Sequence, residues 1–170
     1  MVATTDTLAP VAPTVLVVDD EKNIRLTLDM VLVGAGYGVL QAPSAEDGLE
    51  LLKNPARPVD LVILDLKLPG MNGLDALKQI RQDDAIKDVP VIVISGHATV
   101  HDAVLAIKLG ATDFFEKPLN RDRVLVSVDK NYDDRQLASR VHQMTGLYPL
   151  PAEKSGNRVQ NTGGEYIFFT

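Results

Sequence analysis

Cysteine is absent from the 170 residues, which excludes a disulfide framework, cysteine-based zinc sites and thiol catalysis together. The absence leaves the compartment open. Basic residues are the minority charge: 17 Lys and Arg against 23 Asp and Glu give a formal charge of −6, the wrong sign for a surface that grips phosphate backbones throughout. Direct nucleic-acid binding by this chain is therefore not expected. Residues Met1 to Ala12 carry no Lys or Arg and no continuous apolar segment, and no uncharged apolar run reaches the ~18 residues of a membrane span. The expectation is a cytoplasmic protein without a membrane anchor. Internal repeats are lacking too. What remains, 45% hydrophobic and 24% charged, is the balance of one globular domain with tails.

Residues 1–13 mix Ala, Thr and two prolines without periodicity, as a flexible lead-in would. From Thr14 onward, short β-branched runs alternate with amphipathic stretches. The pairs are Thr14 to Val18 then Asn23 to Val33, Tyr37 to Gln41 then Ala45 to Lys53, and Asp60 to Leu64 then Gly73 to Arg81. Pro90 to Ser95 then Thr99 to Leu109, and Asp113 to Phe115 then Arg121 onward, complete the alternation. Val15 to Val18, Leu61 to Leu64 and Val91 to Ile94 are continuously apolar, the pattern of strands covered on both faces. A parallel α/β sheet between two helix layers follows, doubly wound by right-handed crossovers. Ser44 with Asp47 predicts a helix N-cap, and Gly34, Gly36 and Gly110 suit helix ends that need positive φ. Residues 14–134 form the expected domain, and 135–170 a helix extension followed by a poorly ordered Gly-, Pro-, Ser- and Asn-rich tail. Tyr166-Ile167-Phe168-Phe169 in that tail reads as unstructured chain, or alternatively as a segment for strand addition to a partner.

Open parallel sheets gather functional groups beyond the carboxyl ends of their strands. The first strand ends in Asp19-Asp20-Glu21, the third in Asp65, the fourth in Ser95-Gly96, and the fifth runs into Lys117-Pro118. Carboxylates crowded at one edge repel each other unless a hard cation sits among them. Oxygen-only ligands suit Mg²⁺, which also accepts phosphate oxygens. Taken singly, the Asp19-Asp20 pair reads as a helix cap or solvated turn, and Lys117-Pro118 as a surface loop; their order and placement carry the signal. Gly34-Ala35-Gly36-Tyr37-Gly38 follows a helix and precedes a strand, the reverse of a dinucleotide-binding fingerprint. His97 lies beside the site, while His101 and His142 fall on helical or tail segments; none is read as a phosphorelay histidine.

The segments Val17-Val18-Asp19-Asp20-Glu21, Leu64-Asp65-Leu66-Lys67-Leu68-Pro69-Gly70-Met71-Asn72-Gly73, Ile94-Ser95-Gly96-His97 and Glu116-Lys117-Pro118-Leu119 resemble the receiver domain of two-component response regulators. The resemblance spans roughly Thr14 to Asp134. Ser95 to Thr99, Ala106 to Ala111 and Phe115 to Leu119 are most similar to receivers of sigma-54-dependent transcription activators. The resemblance implies a flavodoxin-like five-stranded sheet of order 2-1-3-4-5. It implies Asp65 as phosphoacceptor from a sensor histidine kinase or a small phosphodonor. Mg²⁺ would be held by Asp20, Asp65 and the Lys67 carbonyl, with Asp19 acting through a metal-bound water. Lys117 and Ser95 would contact phosphoryl oxygens. A cis peptide is implied before Pro118, with Gly73 starting the next helix. In the implied switch, Ser95 moves toward the phosphoryl group and Phe114, where many relatives carry Tyr, swings inward. The implied output surface, and a homodimer interface, is residues 99–134, acting on a downstream effector.

Two rival readings remain. A phosphorylation-independent docking receiver would normally have lost a key residue, and the principal ones are present. An Asp-nucleophile phosphohydrolase would carry an acid two residues beyond its nucleophile, where Lys67 stands. The expected protein is thus a self-phosphorylating and autodephosphorylating regulator rather than an enzyme turning over an external substrate. Neither a phosphate-binding Gly-x-x-x-x-Gly-Lys loop nor a DNA-binding helix pair occurs in the sequence, which leaves a stand-alone receiver or a fragment of a longer regulator.

Overall fold

A computed structural model describes the backbone of residues 11–145 and side chains as far as residue 140. Most of the expected lead-in, and the 146–170 tail with Tyr166 to Phe169, lie outside the described residues. The elements run β1 (Thr14–Val18), α1 (Lys22–Gly34), β2 (Gly38–Ala42), α2 (Ala45–Lys53), β3 (Leu61–Asp65), α3 (Gly73–Gln82), β4 (Val91–Ser95), α4 (Val100–Lys108), β5 (Asp113–Glu116) and α5 (Arg121–Thr145). All strand pairs are parallel, in the order β2-β1-β3-β4-β5. Expected and observed bounds differ by a residue or so. In β3 the difference matters: Asp65 is the last strand residue, opposite Ile94 of β4.

The continuous apolar runs divide their side chains between two cores by simple alternation. Val15, Val17, Leu61, Ile63, Ile92 and Ile94 pack against Leu28 and Leu32 of α1 and Val124 and Val128 of α5. Leu16, Val18, Val62, Leu64, Val91 and Val93 face the other way, against α2, α3 and Ala106 of α4. The three central strands are buried on both faces, whereas the edge strands β2 and β5 are half-buried.

Side chains at the helix starts do the capping that their types predict. Ser44 accepts from the Asp47 N–H, Asn72 from Asp75, and Thr99 forms a reciprocal capping box with Asp102. At the C-terminus of α1 the expectation needs correction. Gly36 has φ +96°, but Gly34 has no positive φ. The Gly36 N–H bonds the Val33 carbonyl and the Tyr37 N–H bonds that of Leu32, a Schellman closure that needs one left-handed residue, two positions after Gly34. Gly110 closes α4 in the same way, with φ +104° and the Ala111 N–H on the Ala106 carbonyl.

Helix α5 continues without a break past Asp134 to Thr145. Arg135 fastens it across the start of β3, donating to the Val59 and Asp60 carbonyls at 3.0 and 2.8 Å. Asp60 in turn accepts from the Thr14 N–H at 2.8 Å, so one acidic residue ties β1, β3 and α5 together. On the other face Arg81 of α3 donates to the carbonyls of Lys87, Val89 and Gly110, closing the loops that flank β4. Among the described residues no helix is long and apolar enough to cross a membrane.

Gly73 begins α3 hard against β3. A Cβ there would lie 2.2 Å from the Asp65 carbonyl oxygen and 2.7 Å from Leu66 Cα, and both are backbone atoms that cannot yield. Helix propensity alone favours alanine by roughly 1 kcal/mol, but the overlap outweighs it. Gly73→Ala is expected to destabilise the fold by about 3 kcal/mol in urea unfolding; a variant as stable as the parent would contradict this packing.

Candidate functional site

The parallel register carries the ends of β1, β3, β4 and β5 to one edge of the sheet. Asp19 follows β1, fully buried, with its N–H on the Ala42 carbonyl. Asp65 ends β3 and is 3% exposed, while Asp20 faces solvent. One carboxylate oxygen from each of the three lies within 4.8 Å of the others. Lys117 leaves β5 with its N–H on the Ser95 carbonyl at 2.8 Å, and the Lys117-Pro118 peptide is cis. Its Nζ lies 2.8 Å from Asp19, 3.1 Å from Glu21 and 3.4 Å from Asp65. The expected convergence of Asp19, Asp20, Asp65 and Lys117 is thus present, but the amine stands closer to Asp19 than to Asp65.

The other named residues sit as follows. The Lys67 N–H reaches Asp65 Oδ1 at 3.4 Å. Ser95 is fully buried at the end of β4, its hydroxyl accepting from the His97 N–H at 3.4 Å. A Cβ on Gly96 would meet Lys117 Cδ at 3.7 Å, an ordinary contact, so crowding there would begin only beyond an alanine. Phe114 does not join the carboxylates. Half-buried in β5, it packs on the core beneath α2, α3 and α4 and borders a cavity of about 400 Å³ with Ala98, Val100 and Ala103.

Sequence reasoning missed several supports. Arg25, one turn into α1, donates to the Asp19 and Asp20 carbonyls at 2.9 and 3.3 Å and fixes the acidic loop. Glu46 accepts from the Met71 N–H at 2.9 Å and steadies the segment after β3. Glu21 was read only as part of the acidic run, and its contact with Lys117 bridges 96 positions. A cation one turn after an acidic strand end was the available signal for Arg25; none existed for the other two.

Burial, and then the Asp19 charge, push the Asp65 carboxyl up to about 6, against the pull of Lys117 and the Lys67 N–H. For Lys117, burial disfavours the cation, but its contacts with Asp19 and Glu21 and the field of Asp65 prevail and hold it above the ordinary lysine range. Asp19 Oδ2 is buried, and its partner among the described residues is the Lys117 ammonium at 2.8 Å. Three clustered carboxylates, two of them buried and sharing one ammonium, fit a hard divalent cation and its waters.

The profile described as the response regulator receiver domain matches residues 15–129. The chain belongs to this receiver family. The receiver is similar to the nitrogen assimilation regulatory protein NtrX of Azorhizobium caulinodans, 36% identical over 135 residues that cover 78% of this chain and 29% of that protein. Among solved structures it is similar to a response regulator receiver protein from Pseudomonas putida, with TM-score 0.67, 34% identity, and coverage of 72% of this chain and 99% of that one. It is similar as well to NtrX from Brucella abortus, with TM-score 0.71, 33% identity, and coverage of 83% and 31%. These NtrX relatives match the sigma-54-activator type that the sequence resembled. The chain spans only about a quarter of the length of the NtrX-like relatives it matches. The fold and family together identify a phosphoacceptor-type regulatory domain of two-component systems.

A carboxyl raised in the folded state stabilises the fold fully below its unfolded pKa, and that contribution is lost as pH rises through the folded value. Here the window runs from the ordinary aspartate value of 3.8 to about 6. Asp65→Asn removes the buried charge, so in metal-free buffer at pH 7.5 it is expected to be about 2 kcal/mol more stable than the parent. In urea titrations this advantage should disappear toward pH 4.

Proposed function

We propose that Asp65 is the phosphoacceptor of a Mg²⁺-dependent switch served by a sensor histidine kinase. The observation that carries the reading is the Lys117 ammonium lying within 3.4 Å of both buried carboxylates, Asp19 and Asp65, at the shared strand edge. An Asp65 oxygen attacks phosphorus, the bond from phosphorus to the donor histidine nitrogen breaks, and an acyl phosphate forms. Asp20, Asp65 and the Lys67 carbonyl would hold Mg²⁺, with Asp19 reaching it through water. Bound there, the ion would neutralise charge on the phosphoryl group. Lys117 supplies a second positive charge, and the Ser95 hydroxyl turns from the His97 N–H toward a phosphoryl oxygen. The product is hydrolysed on the same domain, so no external substrate is turned over.

Residues 14–134 form the receiver unit on this reading, with 135–145 a helical extension of it. The output and self-association surface is residues 99–134. Two features support that assignment: Phe114 is only half-buried beside its cavity, and α4 presents Val100, Val104 and Ile107 to solvent at helical spacing. A vacated space near Ser95 would let the Phe114 ring move inward and reshape this face. The downstream partner is an effector, attached or separate.

Acetyl phosphate with Mg²⁺ is expected to add one phosphoryl group to the chain, read by mass spectrometry, and none after chelation of the metal. Equal labelling of Asp65→Asn would overturn the acceptor assignment. Val104→Asp should leave labelling intact while reducing, by about fivefold or more, any beryllofluoride-induced self-association seen in sedimentation.

A further inference from the structure

Glu21 breaks a local rule. It occupies the N-cap of α1, where Ser, Thr, Asp or Asn would bond the exposed helix N–H groups, yet its side chain makes no capping bond and the first turn carries no acidic residue. Its carboxylate instead contacts the Lys117 ammonium at 3.1 Å. Nor is it one of the three clustered carboxylates. A residue that forgoes a helix cap for a contact across the sheet edge points to a function at that contact.

The three anions around Lys117 differ in what they lose when the amine moves. The Asp19 side chain is fully buried and that of Asp65 is 4% exposed, but that of Glu21 is 60% exposed. Water therefore replaces the amine at Glu21 at little cost, while neither buried carboxylate has that recourse. A contact present in the resting site and surrendered when the amine engages a phosphoryl oxygen biases the equilibrium toward rest. Resting on the phosphoacceptor reading above, we propose that Glu21 is a positioning residue that tethers Lys117 and thereby limits how readily the phosphorylated conformation forms.

Two variants of the full chain separate the tether from simple charge. Glu21→Gln removes the charge, whereas Glu21→Asp keeps the charge and shortens the reach by one methylene. Calorimetric titration with beryllofluoride at saturating Mg²⁺ is expected to show both variants binding about threefold more tightly than the parent, the scale of one partly exposed ion pair. Titration with Mg²⁺ alone should separate the two, since only Glu21→Gln loses charge near the metal-binding carboxylates. Because Asp caps helices better than Glu, Glu21→Asp should also raise the thermal midpoint of the metal-free protein, a change that a structural role alone would not couple to tighter beryllofluoride binding. Beryllofluoride affinity of Glu21→Asp equal to that of the parent would overturn the tether, whether or not Glu21→Gln binds more tightly. If the parent chain itself failed to bind beryllofluoride with Mg²⁺, the acceptor reading would fall, and the tether with it.

Discussion

One ammonium group keeps three acidic side chains at the edge of the sheet. Parallel strands deliver their carboxyl ends to a common side, so Asp19 after β1 and Asp65 at the end of β3 become neighbours as a consequence of topology. Both are buried, and like charges in a poorly solvated place repel strongly. Lys117 comes from the far edge strand and reaches across, its backbone held by the Ser95 carbonyl. The arrangement is balanced rather than saturated, as one amine shared among three carboxylates and the raised Asp65 carboxyl show. Any change of charge at Asp65 therefore redistributes one amine among several partners, which is the physical basis of a switch.

The rest of the molecule divides into parts that hold this edge still and parts free to respond. The central strands, buried on both faces, and the clamps made by Arg25, Asp60 and Arg81 belong to the first group. The second comprises β5, α4 and the half-buried Phe114, where packing is thinner and apolar side chains face water. Regions with few buried contacts open at lower free energy than a core does.

Much of this was readable from residue order. The uninterrupted apolar runs signalled doubly covered strands, and the acidic strand ends with Lys117 located the site, because both signals depend on side-chain type and strand alternation alone. What the sequence did not disclose depends on direction and distance. Gly34 and Gly36 look alike in a string, and only the hydrogen bonds closing α1 select the second for the left-handed turn. The close approach of Gly73 to the Asp65 carbonyl is a matter of how α3 sits on β3. Glu21 and Arg135 act through long, flexible side chains across distant stretches of sequence, a reach no spacing rule encodes. The continuation of α5 past Asp134 was legible as a helix extension, whereas its attachment through Arg135 was not.

Arg135 is one of several attachments spaced along α5. From Arg121 to Arg135 the helix measures roughly 21 Å, and from there to Thr145 roughly 15 Å. Val124 and Val128 are sunk in the core and Ser127 donates to Asp113 of β5 at 2.7 Å, so this first stretch is bedded on the sheet along its length. One stiff rod thus joins the switching strand β5 to the start of β3, and its axis continues past Arg135 as far as Thr145.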